Sequence, residues 1–162
     1  MTYGFGFWRS GYTTLIPWHW SWTPGDDQFD YLRGSRSGCG QRITDDGEVI
    51  PAIYWDCFRE GYDDACYIYT LQQAIFEREG SSNSECGRAV ADAKKLLQET
   101  WDAINVQQKY LSEGMWPSEE FNARRWMIAK AIEKLNKFPA ERQGSAPSVL
   151  VGDRGGEYAI RR

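Results

Sequence analysis

Between Pro51 and Pro139, apolar residues recur every three or four positions in three successive runs, a spacing that assigns this part of the 162-residue chain to helices. The first run starts at Pro51, a favoured first-turn residue, and continues to about Glu79, just before Gly80. Its inner stripe is Tyr54, Phe58, Gly61, Ala65, Ile68, Leu71 and Ile75. The second follows the capping-box pattern Ser82-x-x-Glu85 and extends to about Ser112, with Cys86, Val90, Ala93, Leu97, Trp101, Ile104 and Leu111 as its stripe. The third opens after Pro117 with Ser118 as cap, and Glu119 and Glu120 stand in its first turn, where the helix dipole favours negative charge. Phe121, Ile128, Ile132 and Leu135 line this helix, and Pro139 closes it. The connections predict antiparallel neighbours.

The residues on either side read differently. The stretch Gly11 to Trp22, GYTTLIPWHWSW, alternates as a strand does. Tyr12, Thr14, Ile16, Trp18, Trp20 and Trp22 share one face, and Leu15 and His19 share the other. Neither face is polar throughout, the pattern of a strand covered on both sides, and Pro17 predicts a bulge or an end to its ladder. Residues 1–10 read as a helix end running into a turn at Ser10-Gly11, since their glycines do not match a phosphate-binding loop. Residues 23–50 are irregular, with a short hairpin expected around Asp45-Asp46-Gly47. Beyond residue 139 the chain begins as a linker, in which SVLVG and EYAI are candidate short strands.

Composition narrows the function classes. Hydrophobic residues at 41% and charged residues at 26% are ordinary globular usage, whereas eight tryptophans are many and suit either a thick core or sites that stack against planar or sugar-like ligands. Nineteen basic residues against twenty-three acidic ones, with no basic cluster, leave no footprint for nucleic acid. No run of ~18 apolar residues predicts a membrane-spanning helix, and the N-terminus lacks the pattern of a secretory signal. Cysteines at 39, 57, 66 and 86 form no C-x-x-C pair and the chain has one histidine, so neither a metal site nor a cofactor is expected. Cys57 and Cys66 face opposite sides of one helix and cannot bridge; four free, mostly buried thiols are expected.

The most specific string is GEVIPAIYWDCFREGYDDACYIYTL, Gly47 to Leu71. A glycine in mid-helix costs about 1 kcal/mol against alanine, and on an inner stripe it implies that another backbone or a ring comes very close. Arg59 and Asp63 stand at i, i+4 and are expected to pair on the helix flank. This string resembles a segment near the C-terminus of glycoside-hydrolase-like (β/α)8 barrels of the β-N-acetylgalactosaminidase-type family and its uncharacterised relatives. In that family an aliphatic-Pro, an aromatic, then Arg-Glu-Gly-x-Asp-Asp, Tyr-aliphatic and Leu follow the last barrel strand. The matching residues here are Ile50-Pro51, Trp55, Arg59, Glu60, Gly61, Asp63, Asp64, Tyr67, Ile68 and Leu71. FWRSGYTTLIPWHW is similar to the last barrel strand itself, and the resemblance covers roughly residues 5–75.

The resemblance implies that Trp18, Trp20 and Trp22 lie at the rim of a sugar pocket, with His19 contacting a hydroxyl, since strand ends of such barrels point into the active site. Glycoside hydrolysis needs two carboxyl groups ~5–9 Å apart across the scissile bond, and in the related barrels these come from a middle strand. No acid here stands beside another at a strand end, and a full barrel needs about 250 residues, so no catalytic residue is assigned. The expected fold is therefore mainly α with few strands, a three-helix antiparallel subdomain following one terminal barrel-type strand and a long loop. Residues 1–50 hold the strand and loop, 51–138 the helices, and 139–162 a linker or tail. The expected function is a C-terminal fragment of a carbohydrate-active, glycoside-hydrolase-like protein that supplies sugar-contacting aromatics and no catalytic acids. The alternative is a non-catalytic helical domain that binds a ligand or partner protein through its Trp-rich strand. Pro51, Arg59, Glu60, Gly61, Asp63 and Asp64 are expected to be structural, with Arg59, Glu60 and Asp64 in an ion-pair network pinning the first helix. The strand's open edge makes self-association an expectation as well.

Overall fold

A computed structural model describes residues 2–10, 41–43, 46–51, 53–104 and 116–146. The Trp-rich stretch with Trp18, His19, Trp20 and Trp22 lies outside them, as do the candidate strands after residue 146. The chain opens with a π-helical turn, Thr2–Gly6, continued by a short helix α1, Phe7–Ser10. Strands β1, Gln41–Ile43, and β2, Val49–Pro51, form an antiparallel pair in the register Arg42 opposite Ile50. This is the expected hairpin, and Gly47 at φ +86° supplies the left-handed residue its turn requires. Three long helices follow: α2, Ile53–Arg78; α3, Ser84–Ala103; and α4, Ser118–Leu135. The fold is mainly α with few strands, as expected.

Five boundaries differ from those the sequence predicts. Pro51 ends β2 and does not open a helix; it occupies the last register position, opposite Gln41, at the margin of a two-stranded pair where a missing N–H costs little. The cap of α3 is Asn83 and not Ser82: Asn83 is extended, and its side-chain oxygen accepts from the Glu85 and Cys86 amides at 2.9 and 3.1 Å. Helix α3 stops at Ala103 rather than near Ser112, because Ile104 turns to an extended conformation while its side chain remains in the core. At α4, Pro117 is the cap residue and Ser118 is already helical. Here Pro117 contributes its carbonyl, which accepts from the Glu120 amide at 3.0 Å. Helix α4 ends at Leu135, where Asn136 takes over as cap, four residues before Pro139.

The three helices pack on one another, and the N-terminal turn packs on α2. Leu71 and Ile75 of α2, Leu97 of α3, and Ile128 and Leu135 of α4 are fully buried at their centre. The α3 stripe from Cys86 to Ile104 is buried as expected; on α2, Gly61, Ile68, Leu71 and Ile75 are buried, while Phe58 and Ala65 are half-buried. Past Gly80, at φ +88°, a short turn leads into α3. After α4 the chain runs back along the end of α2, where the amides of Glu141 and Arg142 both donate to the Glu77 carbonyl, at 2.8 and 3.0 Å. Cys66 is exposed and Cys86 buried, both as free thiols, so burial fails for one of the two described.

Candidate functional site at the N-terminal seam

The Arg-Glu-Gly-x-Asp-Asp string falls in the middle of α2, where the N-terminal turn meets it. Gly61 is buried, and the element that comes close is the turn's backbone at Gly4. A β-carbon on Gly4 would lie 2.5 Å from both Cβ and Oδ2 of Asp64 and 2.8 Å from the Gly61 carbonyl oxygen. No side chain fits at Gly4, which lets the turn's backbone come up against α2 at Gly61 and Asp64.

Asp64 is fully buried beneath that contact. Its Oδ1 accepts from Nε of Arg125 on α4 at 2.5 Å, and Oδ2 has no hydrogen-bond partner. Arg125 also reaches Glu60 Oε2 at 3.2 Å and Asn122 Oδ1 at 3.3 Å. One guanidinium therefore joins two acids of the string to a second helix. Burial raises the Asp64 pKa above the ordinary carboxylate value, against the opposing pull of Arg125. The Arg125 pKa is raised in turn by its hydrogen bond to Asp64.

The other residues of the string face outward. Arg59 pairs with Asp56 at 3.5 Å, one turn back, and not with Asp63; both partners are largely exposed, so the pair contributes little. Asp63 is exposed. The network pinning α2 thus contains Glu60 and Asp64 but not Arg59. Its cation is Arg125, which the sequence reading did not single out. The signal was present: Arg125 stands four after Phe121 and three before Ile128, on the apolar stripe of α4. Asp64 likewise stands three after Gly61 and four before Ile68, on the stripe of α2. A cation and an anion on two facing apolar stripes call for each other.

Beside this ion pair, the N-terminal segment is fastened by aromatics. Phe5 is buried against Trp116 and Phe121, with ring centroids 5.4 and 6.1 Å apart. Trp8 meets Trp101 edge to face at 4.9 Å, and the Arg9 guanidinium lies 4.4 Å from the same Trp101 ring. Trp116 donates from Nε1 to the Ala103 carbonyl at 3.2 Å, which ties the chain after α3 to the end of that helix. These contacts hold residues 2–10, which lead directly into the indole-rich stretch.

Among the described residues no cluster of His, Cys, Asp or Glu suits a metal ion, and no helix is long and apolar enough to cross a membrane. No family model matches the chain, and no curated protein and no solved structure is significantly similar to it.

Proposed function

We propose that this chain is the C-terminal part of a carbohydrate-active, glycoside-hydrolase-like protein, in which Trp18, His19, Trp20 and Trp22 contact sugar and the helices act as a scaffold without catalytic acids. One observation supports this reading above the others. The acids of the string that prompted the resemblance are used for holding: Asp64 is fully buried and bound by Arg125, and Glu60 shares the same guanidinium. They tie α2 to α4 beneath the segment that leads toward the indoles, a scaffold's task.

Calorimetric titration of the chain with N-acetylgalactosamine and related saccharides tests the reading, together with an assay on aryl glycosides. Weak sugar binding that is lost in Trp20→Ala, with no hydrolysis, is expected. Hydrolysis by this chain alone would overturn the assignment of no catalytic residue, and absence of any saccharide binding would remove the sugar-contacting role. An open frame upstream of the Met1 codon encoding further strand–helix units is expected too.

The second reading, a freestanding helical domain that binds a ligand or partner protein, draws support from the closed core around Leu71, Ile75, Leu97, Ile128 and Leu135. It predicts a monomeric chain that unfolds in one cooperative transition. Self-association through the Trp-rich strand would instead favour the fragment reading.

A further inference from the structure

Among the described residues, Asp64 is the one carboxylate buried without any exposed surface. Its two oxygens are treated unequally, one bound by Arg125 and the other pressed toward Gly4 with no donor. A carboxylate oxygen cut off from both water and donors is costly. A proton on Oδ2 converts that oxygen into a donor. Lifting residues 2–10 off α2 would relieve the oxygen in the other way, by admitting water.

The charged groups around Asp64 come from each element packed there. Glu60 belongs to its own helix and Arg125 comes from α4, while Asp63 acts on Arg125. Burial has the largest effect, Arg125 favours the ionised form, and Glu60 disfavours it. We propose that docking of residues 2–10 against α2 is linked to a proton on Asp64, so that the seam tightens as the pH falls. The docked state keeps its proton to a higher pH than the undocked state. Docking is therefore strongest below the ordinary carboxylate value of 3.8 and weakens as the pH rises through the docked value. Elsewhere the sign is opposite: Glu79, Asp92 and Glu133 have pKa values lowered by Lys94, Lys134 and Lys130, so those pairs weaken as the pH falls.

Because the two trends oppose each other, the test is local. Amide hydrogen exchange of residues 5–9 in the full chain is measured against residues 96 and 97 of α3, from about pH 4 to 8, with intrinsic rates divided out. The protection ratio is expected to fall with rising pH, by at most about tenfold per unit inside the window. In Asp64→Asn the ratio should stay high and flat, since the amide supplies the missing donor permanently. A flat wild-type ratio, or an Asp64→Asn ratio with the wild-type slope, overturns the proposal. Should Asp64→Asn fail to fold, the carboxyl carbon-13 titration of wild-type Asp64 decides: a midpoint at or below the ordinary carboxylate range overturns it, and a raised midpoint supports it. Gly4→Ala, which drives a β-carbon into the seam, should return that midpoint toward the ordinary value; an unchanged midpoint breaks the link between docking and the proton.

Discussion

Two segments flank the bundle and both are fastened to α2, but by opposite means. At the N-terminal seam, residues 2–10 sit over a buried carboxylate with one oxygen unpaired. At the other end of α2, residues 138–146 are held by Gln73 and Arg78, whose side chains meet acceptors and donors at every polar atom. Gln73 donates to the Gly144 carbonyl at 2.8 Å and to Glu77 at 2.9 Å, and accepts from the Ala146 amide at 2.8 Å. Arg78, buried, donates from Nε to the Phe138 carbonyl, from one terminal nitrogen to Ala74 and Glu77, and from the other to Asn136. A satisfied polar network is stable across conditions, whereas a half-satisfied ionic one depends on a proton and on one partner. The two fastenings differ in completeness more than in number of contacts.

Arg125→Ala should expose that difference most. It leaves Asp64 buried without a cation, and a loss of about 3 kcal/mol is expected in the urea midpoint at neutral pH. Acid should shrink the loss, because a protonated Asp64 needs no cation. An effect under about 1 kcal/mol would mean that the seam rests on Phe5 and Trp8 alone. Gln73→Ala comes next, with an expected loss of about 1–2 kcal/mol and no pH dependence, and with faster exchange confined to residues 141–146. If it costs as much as Arg125→Ala, completeness is the wrong distinction. Arg59→Ala, in the same string as Asp64 but outside the network, should change stability by less than about 0.5 kcal/mol. A larger value would restore Arg59 to the pinning network.

The helices were legible because burial imposes a period, and Leu71, Ile75, Leu97 and Ile128 obey it. Their ends were less so. Asn83 and Ser82 are both good caps, and only the backbone decides which one turns extended. Ile104 fits the α3 stripe either in or just past the helix, so the period could not locate the end. The Asp45-Asp46-Gly47 turn was readable because Gly47 provides a conformation that few other residues adopt. At the seam, the close approach at Gly61 was readable from one glycine, but its partner Gly4 was not, since nothing in a linear pattern links positions so far apart. Arg125 was hidden for another reason: stripes are read for apolar residues, so the charged residue standing on one is passed over.

That separation has a consequence during synthesis. Gly4 is made before Asp64, and Arg125 emerges only after both. At ordinary translation rates of about 5–20 residues per second, the buried acid waits several seconds for its cation. Until then residues 2–10 have no complete berth on the nascent chain. The seam is whole only once Arg125, the last-made of its partners, has emerged.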